Sequence, residues 1–198
     1  MLNIAIIGND CEQSTKNTLY GLLELMERRV FSYDKTKCLT FNQLAENRAD
    51  VFIAPMNTYL LEQKKDAVDI LIFESGTSID SSAALNFANE KAVIIISADD
   101  TELYKYLLGS KANVLTYGFN GKASVTASSI LENMDKKYVQ ICIQRSFKTS
   151  NGRIIDIQEI PVTCSIKSDS QILNEIAAIT AALYLGINPK TISLCSFS

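Results

Sequence analysis

The chain has 198 residues, 47% apolar and 21% charged, with a net charge of -3 and no histidine. That composition excludes wholesale disorder. The missing histidine removes His general bases, His-based triads and His metal ligands together, and the mild, evenly spread acidity argues against nucleic acid as a partner.

Leu2 to Ile7 is an apolar run ending at Gly8, a buried strand by composition. A polar loop, Asn9 to Gln13, leads to a helix expected from Ser14 to about Arg28, where Leu19, Leu22, Leu23 and Met26 recur at helical spacing. Val51 to Ala54, closed by Pro55, is a second strand, and Asp69 to Phe73 is a third. Ala92 to Ile96 is the strongest strand signal, an uninterrupted β-branched run suited to a parallel sheet covered on both faces. Asp100 to Leu108 is a short helix stopped by Gly109, and Asn113 to Thr116 is a further strand.

From Ala123 to Ile166 the apolar residues alternate: Val125, Ala127 and Ser129; Val139, Ile141 and Ile143; Ile155 and Ile157, then Ile160 and Val162. This predicts a small antiparallel meander with one solvated face, with Ser150-Asn151-Gly152 as a hairpin turn. The last large element is a helix over Ser170 to Leu185. Its deep stripe is Ile172, Ile176, Ile179 and Leu183, and Ala177, Ala178, Ala181 and Ala182 allow close packing. Gly186 ends it and Pro189 opens a short final helix. The expected fold is therefore one α/β domain over 1–198, a mostly parallel sheet between helices with a β meander annex at about 123–166.

The five cysteines, Cys11, Cys38, Cys142, Cys164 and Cys195, are odd in number and form no C-x-x-C pair, so neither disulfides nor structural zinc is expected. Met1-Leu2-Asn3-Ile4 carries no basic leader, so no signal peptide is expected. Ile176 to Ile187 falls short of the ~20 apolar residues a membrane span needs. A cytoplasmic location follows as the expectation.

Three segments carry a family resemblance. Leu115-Thr116-Tyr117-Gly118-Phe119-Asn120 followed by Ala123-Ser124-Val125-Thr126-Ala127 resembles the "TYGF…AD…A" stretch of the Mur ligases. Ile160-Pro161-Val162 with Ser170 to Ala178, ending at Leu185-Gly186-Ile187, is similar to that family's "LPVPG-HN-x-x-NALAA" helix. Ile95-Ile96-Ser97-Ala98-Asp99-Asp100 resembles its "VINADD". Mur ligases are ATP-dependent enzymes that add amino acids to peptidoglycan precursors, and folylpolyglutamate synthase is a relative. The resemblance covers roughly Met1 to Ser193 and implies the central ATP-binding domain of that family.

The chemistry departs from the family. Mur ligases bind ATP on a G-T-N-G-K-T loop, whose backbone N–H groups and lysine hold phosphates and whose hydroxyl holds Mg²⁺. Here that stretch is Gly8-Asn9-Asp10-Cys11-Glu12-Gln13, in which only Gly8 survives. A shifted alignment uses Ser14-Thr15-Lys16 but lacks the glycines. The family's magnesium glutamate falls on Ala54 if strand spacing is kept, the preferred alignment, or on Glu74 if a strand and a helix are deleted. Its His-Asn pair becomes Ser170-Gln171, although Asn174 remains.

The cofactor-site residues that the resemblance implies are thus Gly8, Asn9, Asp10, Gln13, Ser14 and Asn174, as remnants. No catalytic residue, metal site or bound cofactor is expected, because the ATP and Mg²⁺ motif residues are lost. Asp99 and Asp100, with Glu74 or Asp80, are a cation candidate, weighed against a helix N-cap. Tyr117 to Lys122 is a nucleotide-base candidate, weighed against a turn with a core aromatic, and Cys11 is a loop thiol.

Met1 stands almost at the first strand and Ser198 just past the last helix, so flanking domains are not expected. The expected function is a Mur-ligase-like domain without ATP binding or ligation, acting as a binding, scaffold or regulatory protein linked to cell-wall metabolism. An enzyme or nucleotide binder with a remodelled pocket at the C-terminal strand ends is the alternative. A protein partner or homo-oligomer is expected from the low charge and an apolar tail at Ile192, Leu194, Cys195 and Phe197, with no nucleic acid and no membrane as partners.

Overall fold

Among the described residues, ten strands join in one sheet in a computed structural model of the chain. The structure describes residues 1–8, 12–32, 49–56, 66–76, 81–107, 112–133, 136–165 and 168–197. In chain order the elements are β1 (Leu2–Ile7), α1 (Glu12–Glu24), β2 (Val30–Ser32), β3 (Val51–Pro55), β4 (Val68–Phe73), α2 (Ser81–Leu85), β5 (Ala88–Ser97), α3 (Thr101–Leu107), β6 (Asn113–Gly118), β7 (Val125–Asn133), β8 (Lys136–Ile143), β9 (Phe147–Lys148), β10 (Ile154–Ile155), β11 (Gln158–Cys164), α4 (Asp169–Tyr184), α5 (Pro189–Ser193) and β12 (Ser196–Phe197).

The sheet order is β12-β11-β8-β7-β6-β5-β4-β1-β3-β2. Strands β2 to β6 and β1 are mutually parallel. Their β-branched runs are buried without alternation, as in Val93 to Ile96, because helices cover both faces. One apolar layer lies against α1 and α4 and includes Ile4, Ile6, Leu19, Leu23, Ile70 and Ile176. The other lies against α2 and α3 and includes Ala5, Ile7, Leu71, Phe73, Ala84 and Leu103. The antiparallel strands β7, β8 and β11 form the expected meander. They continue the same sheet, β7 joining β6 only through Tyr117–Val125 and Gly118–Thr126.

Local chemistry sets the helix ends. Ser168 caps α4 reciprocally: its hydroxyl accepts from the Gln171 N–H at 3.3 Å and its own N–H donates to Gln171 Oε1 at 3.2 Å, a capping box. At the other end Gly186 takes φ +96°, and Ile187 N donates back to Ala182 O at 3.1 Å. Asp100 caps α3, accepting from Leu103 N at 3.1 Å.

Several sequence expectations are corrected. Helix α1 stops at Glu24 rather than near Arg28, and Glu27 follows with φ 56°. Strands β2 and β12 were not expected. Ile157 is 65% exposed although the alternation placed it with the buried set. Of the four apolar tail residues, Ile192 and Phe197 are buried in the core, Cys195 is half-buried and Leu194 stands out in solvent. The turn at Ser150 to Gly152 does form, joining β9 to β10 with Gly152 at φ +87°.

Candidate functional site at the C-terminal strand ends

Parallel strands bring their C-terminal ends to one edge, where loops and helix N-termini meet. Strand β1 lies between β3 and β4, so the ends of all three are neighbours. Of the two positions considered for the family's glutamate, Ala54 pairs with Ala5, three residues before Gly8, whereas Glu74 follows the Ile7–Phe73 pair and flanks Gly8. Ala54, on β3, is fully buried and brings no polar side chain. Glu74, just past β4, is 3% exposed and lies against Gly8: a Cβ built on Gly8 would stand 1.9 Å from Glu74 Oε2. The Thr15 hydroxyl, from the first turns of α1, donates to Glu74 Oε1.

Tyr117, at the end of β6, is fully buried, and its hydroxyl donates to Phe73 O at 2.8 Å. Burial, reinforced by the nearby Glu74 carboxylate, pushes this phenol up, so it stays neutral and acts as a hydrogen-bond donor. It is a core aromatic rather than an exposed platform for a base. Asp99 accepts from Phe119 N at 2.8 Å, and its own N–H donates to Ser97 Oγ at 3.2 Å. These bonds tie the β5 turn to the β6 turn. Gly118 has φ +143°, and a Cβ there would stand 2.3 Å from Asp99 Oδ2. Gly118→Ala combines an unfavourable backbone with that clash, and is expected to cost about 2 kcal/mol in a denaturant melt.

A second acid is buried beside α1. Glu175 on α4 is 2% exposed. The Ser14 hydroxyl donates to its Oε1 at 3.2 Å. Oε2 has no hydrogen-bond partner. Burial pushes this carboxyl up to about 7, against the lowering effect of the nearby hydroxyls.

Of the residues expected from the sequence, Gly8 sits at the mouth of this edge. Ser14 and Asn174 are present, Ser14 bound to Glu175 and Asn174 buried on α4 at 3% exposure. Gln13 falls in the first turn of α1. Asn9, Asp10, Cys11, Cys38 and Asp80 lie outside the described residues. The structure thus groups Gly8 with Thr15 and Glu74, and Ser14 with Glu175. Among the described residues no three His, Cys, Asp or Glu side chains converge as a metal-binding group. Cys142, Cys164 and Cys195 are free thiols, all pushed up by burial. No helix among the described residues is long and apolar enough to cross a membrane.

This architecture is that of the Mur ligase central domain, and the chain resembles that family in sequence and in fold. The MurF ligase of Thermotoga maritima in complex with ADP superposes with a TM-score of 0.70 at 15% identity, covering 100% of this chain and 49% of that one. The folylpolyglutamate synthetase of Lactobacillus casei gives 0.64 at 10% identity, covering 97% of this chain and 61% of that one. In sequence, the UDP-N-acetylmuramate–L-alanine ligase of Xylella fastidiosa is 26% identical over 98 residues, 50% of this chain and 18% of the ligase. No family model matches the chain. The chain spans about half the length of that MurF ligase.

Proposed function

We propose that the chain is a Mur-ligase-like domain that has lost ATP binding and ligation and acts as a binding or scaffold protein. The observation that carries this reading is the stretch Gly8 to Gln13, which keeps one glycine of the family loop and has Glu12 where the family has its lysine. In the family loop the strand-to-helix junction is a cradle for phosphate, with backbone N–H groups and a lysine around it. The loop sequence adds Asp10 and Glu12 and supplies no lysine. Each unit-charge repulsion with a phosphate at about 4 Å costs ~4 kcal/mol in partly screened surroundings. The residues present do not suit a polyphosphate.

Calorimetric titration with Mg-ATP is expected to show no binding at micromolar protein. Micromolar binding that disappears when the Gly8 loop is changed would overturn the reading. The names of the relatives tie the proposal to UDP-N-acetylmuramate chemistry and so to cell-wall metabolism.

The partner is proposed to be another protein or a second copy. Leu131 and Tyr138 are direct cross-strand neighbours on β7 and β8, 68% and 44% exposed, and form an apolar spot on the outside of the sheet.

A second reading has its own support: Thr15, Glu74, Ser97 and Asp99 gather hydroxyl and carboxylate groups at the edge where open α/β sheets keep ligands. It makes the chain a binder or enzyme for a small molecule other than Mg-ATP. Native mass spectrometry of the purified protein separates the two, since a retained small molecule supports the second reading and a ligand-free oligomer the first.

A further inference from the structure

Helices back the two halves of the sheet unequally. On one face α4 and α5 extend under the antiparallel strands, and Val139, Ile141, Ile160 and Val162 lie in one layer with Ile176 and Ile192. On the other face the layer built on α2 and α3 reaches Val114 of β6 and includes no residue of β7, β8 or β11. Among the described residues that face of the three antiparallel strands is open.

The ladder registers fix what it presents. On β8, Lys136, Tyr138, Gln140 and Cys142 alternate outward against the buried Val139, Ile141 and Ile143. Leu131 pairs with Tyr138, and Glu159 pairs with Cys142. The face therefore carries a lysine at the hairpin end, the exposed Leu131–Tyr138 pair beside it and a glutamate at the far end. No other outward position of the three strands is charged. Glu159 accepts from Gln140 Nε2 at 3.2 Å. Neither Glu159 nor Lys136 has an ion-pair partner among the described residues.

A face with one cation at one end and one anion at the other complements itself when reversed. A two-fold axis lying between two stacked sheets, across the strands at Val139, makes that reversal. Position 136 of each copy then lies over position 142 of the other, one strand spacing of about 4.8 Å from Glu159. The two Leu131–Tyr138 pairs meet on either side of the axis, which gives an apolar centre and a charged rim. Aligned sheets pack about 10 Å apart, a gap that side chains of this size fill.

We infer that the open face of β7, β8 and β11 docks on the same face of a second copy of this chain, as a two-fold dimer held by Leu131 and Tyr138 and set in register by Lys136 against Glu159. This names the partner in the reading above and rests on that reading's protein contact. Strand spacing and length give a contact of roughly 400 Å² per copy, in the small, transient class, so the dissociation constant is expected on the order of 100 µM.

Sedimentation equilibrium of the whole chain at low salt, from about 10 to 500 µM to bracket that constant, reads the association. Reversible dimerisation that weakens with added salt is expected. Lys136→Glu and Glu159→Lys should each weaken it about tenfold, because each turns two attractions per dimer into two repulsions. Mixed in equal amounts, the two variants should regain it, since each then meets the opposite charge at both ends. Leu131→Arg should abolish it. All three positions are exposed, so the variants keep the fold. A dimer indifferent to Leu131→Arg, or a mixture that associates no better than either single variant, would overturn this face and leave the parent reading in place. A chain that stays monomeric throughout would overturn the inference, and the parent reading would then stand or fall on the Mg-ATP titration.

Discussion

Glu175→Gln is expected to stabilise the protein by about 2–3 kcal/mol at pH 8 and to change it little below pH 4. The acid is nearly inaccessible, with the Ser14 hydroxyl on Oε1 and no hydrogen-bond partner on Oε2. Losing water disfavours the charged form, and its folded value rises to about 7 from an ordinary 4.5. The sign follows from proton counting. Between these two values the folded chain holds a proton that the unfolded chain has released, so stability falls as pH rises through that window. Above pH 7 both states are ionised and the full penalty remains. Glutamine keeps an acceptor for Ser14 and removes the charge. Its unpaired amide hydrogens offset part of the gain. Urea melts of both proteins from pH 4 to 9 would read the difference. A difference that is constant with pH would mean that Glu175 is not the desolvated acid described.

The parallel strands were legible in the sequence because burial on both faces demands uninterrupted apolar runs, and Ile4 to Ile7, Val51 to Ala54, Ile70 to Phe73 and Val93 to Ile96 are such runs. The last helix was legible from its stripe and from Gly186. Its polar flank was not. Asn174, Glu175 and Thr180 are polar yet buried, and Glu175 lies against α1, where the Ser14 hydroxyl bonds it. Only a second helix beside the first produces this, and a single helix's pattern does not reveal it. The contact of Glu74 with Gly8 was hidden for a similar reason. It follows from the order β3-β1-β4, a non-local fact, whereas sequence spacing alone gave Ala54 and Glu74 as rival positions. β2 and β12, of three and two residues, are too short for a period to register. The tail looked like contact surface on composition, but β12 pairs with β11 and carries Phe197 into the core.

Leu183→Ala is expected to cost about 2–5 kcal/mol, the range for truncating a buried leucine in a site that relaxes poorly. Leu183 is fully buried, as are Ile172, Ile176 and Ile179 on the same stripe. Helix α4 lies over β4 to β7 on one side and against α1 on another. To close the cavity the helix would have to move toward the sheet, and both its ends resist. The Ser168–Gln171 capping box fixes the start, and Gly186, with Asn151 Nδ2 only 3.0 Å from where its Cβ would lie, fixes the finish. Ala177, Ala178, Ala181 and Ala182 are also fully buried, so the helix backbone already sits close to its neighbours with little slack. Leu194→Ala is the internal control. At 87% exposure it should change stability by no more than about 0.5 kcal/mol. Denaturant melts with an unchanged slope would isolate the stability term. A loss below about 1 kcal/mol for Leu183→Ala would place that side chain outside the packed layer between α4 and the sheet.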